Sequence, residues 1–305
     1  MMFLDTPPPV IETRVFTRMP DAFRLAVRSA WGDANKGGHP VDGFIEGPAF
    51  DDAGNLYVVD IPHGRVFRIA PDGGWSLVVR YDGEPNGLKF HPDGRILIAD
   101  YRNGLVELDP VNGRISPFLP RRNSEAFKGC NDLAITADGD VFFTDQGQTG
   151  LHDPTGRVYH LSPQHRLDCL LSNGPSPNGL VHNRADNALY VAMTRDNAVW
   201  RLPFAARGGV AKVGRFCTMF GRSGPDGLAL DEAGNLLVAH ASLGQVFVFG
   251  PDGACIARVK SCAGPACTNL AFGGPDRRRL YITESATGSI LVADMPAPGA
   301  VLPSR

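Results

Sequence analysis

Along most of the chain, short apolar runs alternate with polar turns, and the alternation itself repeats. Its clearest instance is Gly224-Pro225-Asp226-Gly227-Leu228-Ala229-Leu230, then the turn Asp231-Glu232-Ala233-Gly234-Asn235, then Leu236-Leu237-Val238-Ala239-His240. Two β-rich runs bounded by Gly, Asp and Asn predict a hairpin. The pattern recurs from Glu46 to Asp60, Asn86 to Asp100, Asn131 to Asp145, Asn178 to Met193 and Thr268 to Glu284. A third strand, led by a small or turn residue, follows at Gly64 to Ile69, Gly156 to Leu161 and Gly244 to Phe249. Fourth strands are predicted at Trp75 to Val79 and Val213 to Cys217. Before the first copy, Val10 to Phe16 has the β-branched content of a strand. The stretch 17–42 is irregular, with helical character confined to Ala22 to Ala30.

The copies start near 46, 86, 131, 178, 226 and 268, so the period is 40 to 48 residues. That is the length of a four-stranded propeller blade, roughly 40–50 residues. The prediction is an all-β, six-bladed β-propeller forming one domain over residues 1–305, with 1–9 as a loose leader. The sixth copy runs out after its third strand, Ser289 to Ala293. The strand at 10–16 is therefore expected to supply the outer strand of the last blade and close the ring, removing an open edge.

Composition agrees and excludes several functions. The 36 Gly and 25 Pro suit many short elements joined by tight turns. A net charge of −2 offers no footprint for nucleic acid or an anionic membrane. The triplet Arg277-Arg278-Arg279 reads as a solvated hairpin turn. No apolar run approaches the roughly 18–20 residues of a membrane-spanning helix. The N-terminus lacks the pattern of a secretory signal, so a cytoplasmic location with six reduced cysteines is expected. Cys262 and Cys267 have no partnering Cys or His pair and make a poor zinc signal.

Function is expected at the one repeat position that varies. In a propeller the first strand of each blade lines the channel, so Glu46, Asn86, Asn131, Asn178, Asp226 and Thr268 should converge at one end of it. Asp60, Asp100, Asp145, His240 and Glu284 should form a ring further out on that face. The inner set carries oxygen donors only, which suits a hard cation such as Ca²⁺. Any single Asn or Asp before Gly is an ordinary turn residue; Glu46 before Gly-Pro has no such turn chemistry. Five polar side chains aimed at one axis also need a cation or water between them. Elsewhere, His63 is expected at the surface, and Cys130 has no partnering His that would make it a nucleophile. The metalloprotease His-Glu-x-x-His, the Gly-x-Ser-x-Gly elbow and the phosphate-binding loop are all missing.

With Glu46-Gly47-Pro48, Asn131-Asp132, Pro177-Asn178-Gly179-Leu180 and Pro225-Asp226-Gly227-Leu228 in this order, the chain resembles the gluconolactonase, regucalcin and senescence-marker family, which has diisopropyl fluorophosphatase as a relative. The resemblance covers roughly residues 40–295. It implies one divalent cation held by Glu46, Asn178 and Asp226, with Asn131 as a fourth or water-mediated ligand. Calcium is the first expectation, with zinc, manganese and magnesium as alternatives. It further implies a small-molecule substrate, a lactone, with Asp226 as general base and Asn86, Asp132 and His240 holding the substrate. The arginine that animal sugar lactonases carry two residues before the third-blade Asn is Gly129 here. The run Phe142-Phe143-Thr144-Asp145-Gln146-Gly147 looks more like the bacterial lactonase and phosphotriesterase-like branch. A sugar lactone is thus less expected than a lactone in general. Two other readings stand beside it: a phosphotriester or fluorophosphate hydrolase on the same ion, and a non-catalytic ligand-binding propeller. Nothing in the chain decides its oligomeric state.

Overall fold

A computed structural model of the chain describes residues 7–300. Six blade sheets follow one another in chain order, the first five built around a four-strand antiparallel meander and the sixth around a three-strand one. Their inner strands are Ile45–Phe50, Pro85–Phe90, Cys130–Ile135, Pro177–Asn183, Pro225–Leu230 and Cys267–Gly273. Each inner strand packs on the next and the last packs on the first, which closes a six-bladed propeller.

The second strand of each blade explains the unbroken apolar runs. Successive side chains of a strand point to opposite faces, and in a propeller both faces are covered by a neighbouring blade. In Leu56–Asp60, Leu56 and Val58 enter the cluster shared with the sixth blade, while Tyr57 and Val59 enter the one shared with the second. In Ile96–Asp100, Ile96 and Ile98 face the first blade, whereas Leu97 and Ala99 face the third. The core is accordingly six apolar wedges, one at each blade-to-blade interface.

Ring closure uses the N-terminal segment, though the single strand expected at 10–16 is two. Val10–Glu12 runs parallel to Cys255–Lys260 and adds a fifth strand to the fifth blade. Arg14–Arg18 pairs antiparallel with Ser289–Asp294 and completes the sixth. Thr13 sets the break: its amide and hydroxyl both donate to the Lys260 carbonyl, at 3.2 and 2.8 Å. The same hydroxyl accepts from the Cys262 amide at 2.9 Å. One short segment therefore staples two adjacent blades.

Two further expectations are corrected and a third is extended. The helical stretch expected at 22–30 is a 3-10 turn, Asp21–Phe23, and a helix placed later, Ala30–Asn35. That helix starts where Ser29 caps it, its hydroxyl accepting from the Gly32 amide at 3.1 Å. It is held down by Trp31, buried in the wedge between the first two blades. His63 is buried rather than on the surface, its Nε2 bonded to the Val41 carbonyl at 3.0 Å. The arginine triplet stands at a solvated hairpin turn as expected, and Arg277 in addition pairs with Glu232 of the fifth blade and donates to the Gly299 carbonyl. Of the expected leader, residues 1–6 lie outside the described residues, and 7–9 form no strand. All six cysteines are free thiols. Among the described residues no helix is long and apolar enough to cross a membrane.

Candidate functional site

All six inner strands lose register with their neighbour at the same level. The breaks fall between Glu46 and Ala49, Pro85 and Gly87, Cys130 and Leu133, Pro177 and Leu180, Pro225 and Leu228, and Cys267 and Asn269. A bulge of this kind re-aims a side chain; here it serves the axis. The Asn-Gly and Asp-Gly pairs that read as turn residues therefore lie within strands. Their glycines answer to packing. A Cβ on Gly47, Gly87, Gly179 or Gly227 would lie 2.4 Å from the Asn86 carbonyl oxygen, 2.3 Å from Asp132 Oδ1, 2.3 Å from the Asp226 carbonyl oxygen or 2.2 Å from Asn269 Oδ1. In the third and sixth blades Asp132 and Asn269 occupy the glycine's place, so two extra polar side chains enter the channel.

Glu46, Asn86, Asn131, Asp132, Asn178, Asp226, Thr268 and Asn269 are all buried. Several are in direct contact. Asn269 Nδ2 donates to Glu46 Oε2 at 2.9 Å and to Asp132 Oδ2 at 3.3 Å, bridging two carboxylates from different blades. The Gly47 amide adds a 2.7 Å bond to the same Glu46 oxygen. Asn178 lies beside the Asp226 carboxylate and favours its charged form. Asn131 Nδ2 donates to Gln146 Oε1 at 2.8 Å, and Gln146 Nε2 donates to Ser176 Oγ at 2.9 Å. With its NH2 group oriented toward Gln146, Asn131 keeps its carbonyl oxygen for a further partner. Asn269 and Gln146 are the functional candidates that the sequence reading missed. Asn269 could have been found as a polar residue standing where four blades have Gly.

Burial is the main cause of the unusual electrostatics. It raises the Glu46 carboxyl to about 7, with the nearby Asp132 charge adding to the effect. It raises Asp226 well above the carboxylate range, and the charges of Glu46 and Asp132 push the same way. Asp132 is also raised by burial, but Lys89 opposes this from 4.0 Å. A second cation comes from the loop after the Ala30–Asn35 helix. The Lys36 ammonium lies 5.4 Å from the Trp31 ring centroid and 4.5 Å from that of Phe44, within the field of Asp226.

The outer ring is structural. Asp60 Oδ1 accepts from the Phe44 amide at 2.7 Å, and Asp145 Oδ1 from the Gly129 amide at 2.8 Å. Asp100 accepts from the Arg102 and Asn103 amides and from the Tyr81 hydroxyl. Glu284 accepts from the amides of Ala266, Ala286 and Thr287. Each caps the loop that carries its blade's end. His240 belongs here, which corrects its expected role in holding substrate. It is fully buried, Nε2 bonds the Phe220 carbonyl at 2.7 Å, and Nδ1 accepts from the Ser242 amide at 3.4 Å. Burial also lowers its pKa, so the ring is a neutral brace. At Gly129 a side chain has no room: its Cβ would lie 2.5 Å from the Tyr101 ring. Cys130 is buried and its thiol is pushed well above its ordinary value, as suits an inert core residue.

The donor chemistry fits a hard divalent cation. Among the described residues no three His, Cys, Asp or Glu side chains make a metal cluster by themselves. The Glu46 and Asp226 carboxylates would have to be completed by the Asn131 and Asn178 amide oxygens. The raised proton affinity of both carboxylates is what such a set shows when burial outweighs the compensating charge around it.

The comparisons with known proteins agree with this architecture. The gluconolactonase of Zymomonas mobilis is 29% identical over 261 residues, 75% of this chain and 72% of that protein. The diisopropyl-fluorophosphatase of Loligo vulgaris is 26% identical over 275 residues, 80% and 87% of the two chains. Among solved structures, a regucalcin from Agrobacterium tumefaciens described as a calcium-binding protein superposes with a TM-score of 0.77. It covers 97% of this chain and 98% of its own at 22% identity, a likeness of fold. The model of the SMP-30/Gluconolactonase/LRE-like region matches residues 44–286, from just before Glu46 to just past Glu284, and the chain belongs to that family.

Proposed function

We propose that this propeller hydrolyses a lactone at the mouth of its channel, with a divalent cation held by Glu46, Asn131, Asn178 and Asp226. The observation that carries the reading is the buried, oxygen-only donor set on the axis, in which two carboxylates are left with little positive charge around them. Calcium suits it best among the divalent ions, since the ion takes carboxylate, amide and water oxygens in a flexible shell. The names of relatives in the family point to lactone chemistry. A cation there would polarise the substrate's carbonyl and favour negative charge on its oxygen.

Asp226 is the residue suited to take the proton. Water adds to the lactone carbonyl carbon, its proton passes to a carboxylate oxygen of Asp226, the ring C–O bond breaks, and the proton returns to the departing alkoxide. The product is the open hydroxy acid. A cation at the site would hold the Asp226 carboxylate ionised, the state in which it can accept a proton. Glu46 is held by the Gly47 amide and Asn269, so it is positioned to bind rather than to move protons. Asn86, at the same level on the second blade, borders the substrate.

A panel of γ- and δ-lactones, assayed with and without chelator, tests the reading. Ring opening that is lost on chelation, restored by calcium and abolished in Asp226→Ala is the expected result. Activity indifferent to both would overturn it. The likeness to a diisopropyl-fluorophosphatase supports a second reading, fluorophosphate hydrolysis at the same residues, which the same assay separates by substrate.

A further inference from the structure

We infer that Lys36 is a specificity residue that selects lactones carrying an anionic substituent, a carboxylate beside the ring being the simplest case. The inference rests on the lactonase reading for the ring and adds what the rest of the substrate must be. Lys36 follows the capped helix Ala30–Asn35, whose Trp31 is anchored in the wedge between the first two blades. The Trp31 and Phe44 rings pack against each other with centroids 4.8 Å apart. Together they make a platform on which the ammonium rests, 4.5 Å from the Phe44 centroid. Phe44 is itself two residues before Glu46 and tied to the blade by its amide bond to Asp60. The platform therefore stands at the channel mouth, on the first blade.

Among the described residues nothing neutralises this ammonium directly. Among the described residues Lys36 has no carboxylate within salt-bridge distance, whereas Arg24, Arg28 and Arg65 of the N-terminal segment and first blade are each paired. Attraction to the aromatic faces biases an otherwise flexible side chain toward one place. Its electrostatic partner is Asp226, a residue of the donor set on the axis. With Glu46 and Asp226 engaged by a divalent cation whose charge they balance, the Lys36 ammonium would be left as a positive group beside the site without a carboxylate to answer it. An anionic substituent of the substrate would pair with it, and a neutral one would not. The third-blade side of the mouth supplies no rival side chain at Gly129, because the Tyr101 ring fills the space.

The test compares γ-butyrolactone-γ-carboxylate with its uncharged carboxamide on the calcium-loaded enzyme, in wild type, Lys36→Met and Lys36→Arg. The wild type should prefer the carboxylate. Lys36→Met should lower the carboxylate-to-carboxamide ratio of kcat/KM by about tenfold, mainly through KM, as loss of one charge-assisted contact would do. Lys36→Arg should recover most of the ratio. An equal effect on both substrates overturns the inference. Binding supplies a readout independent of turnover. Trp emission is titrated with the carboxylate probe and with glutarate, in the presence of calcium, because Trp31 lies under the ammonium. Saturable anion binding weakened in Lys36→Met supports the inference even if no lactone is opened, in which case the lactonase reading alone fails. Anion binding equal in wild type and Lys36→Met overturns it.

Discussion

Two residues at similar depth in the fold, Asp226 and His240, show how function and architecture divide. Asp226 sits at the bulge of the fifth inner strand among carboxylates. His240 sits at the end of the next strand with both ring nitrogens bonded to backbone. Asp226→Asn keeps an oxygen donor and removes the base. We expect kcat to fall by roughly 10²–10⁴, as for loss of a general base, while calcium binding weakens far less. Isothermal titration beside turnover separates the two; parallel losses would mean that Asp226 acts as ligand only. His240→Ala should do the reverse. It leaves the Phe220 carbonyl without a donor, at a cost of about 1–3 kcal/mol in denaturant unfolding, with calcium affinity retained. Both residues stood out in the sequence, but spacing alone could not tell them apart. It reports which face of the ring a residue joins, whereas the role depends on whether backbone groups already satisfy it. Asn269 escaped notice for a related reason. Thr268 took the ring position in the aligned repeat, and the polar group that crosses the channel came one residue later.

At the scale of the blade, the repeat was legible because it is enforced twice, by burial and by close approach. Runs such as Leu56 to Val59 and Ile96 to Ala99 bury alternate side chains in different wedges, so every position must be apolar. The glycine that follows the ring residue in four of the blades is demanded by the neighbouring inner strand. Gly179 makes the sharpest test, since its backbone is not in the left-handed region and the constraint is purely steric. A Cβ there would lie 2.3 Å from the Asp226 carbonyl oxygen and 2.6 Å from Gly227 Cα, both backbone atoms that cannot swing aside. Gly179→Ala should therefore push the fourth and fifth blades apart, and the Asn178–Asp226 contact lies at that seam. The expected result is a loss of about 1–3 kcal/mol in stability, the usual cost of overpacking, together with weakened calcium binding. Unaltered calcium affinity would show that the seam does not set the site. What the repeat could not convey was the segment before it. Its helix depends on the Ser29 cap and on Trp31 finding a wedge made by residues far along the chain, so local pattern placed it several residues early.

For the whole molecule, the consequence of gathering six inner strands around one axis is that carboxylates are forced together out of water, and stability becomes linked to pH. Glu46 is buried and its carboxyl is raised from 4.5 to about 7. Between those values the folded, cation-free protein keeps a proton that the unfolded chain has lost. Stability must then fall as pH rises through that window, and the loss is complete once the pH exceeds the folded value. A shift of this size corresponds to about 3 kcal/mol for Glu46. Asp226 and Asp132 are displaced in the same direction and add to the slope. A divalent cation requires the ionised carboxylates, so its stabilising effect should grow over the same window. Scanning calorimetry of chelator-treated protein between pH 5 and pH 8 should show a falling Tm, and saturating calcium should flatten or reverse the trend. The opposite slope in the chelated protein would mean that the axial carboxylates are already neutralised by the protein itself, by Lys89 and Lys36. Little work would then be left for a bound ion. The same scan with Lys36→Met sharpens the assignment. Removing the ammonium whose charge acts on Asp226 should steepen the fall in the chelated protein and leave the calcium-saturated curve nearly unmoved.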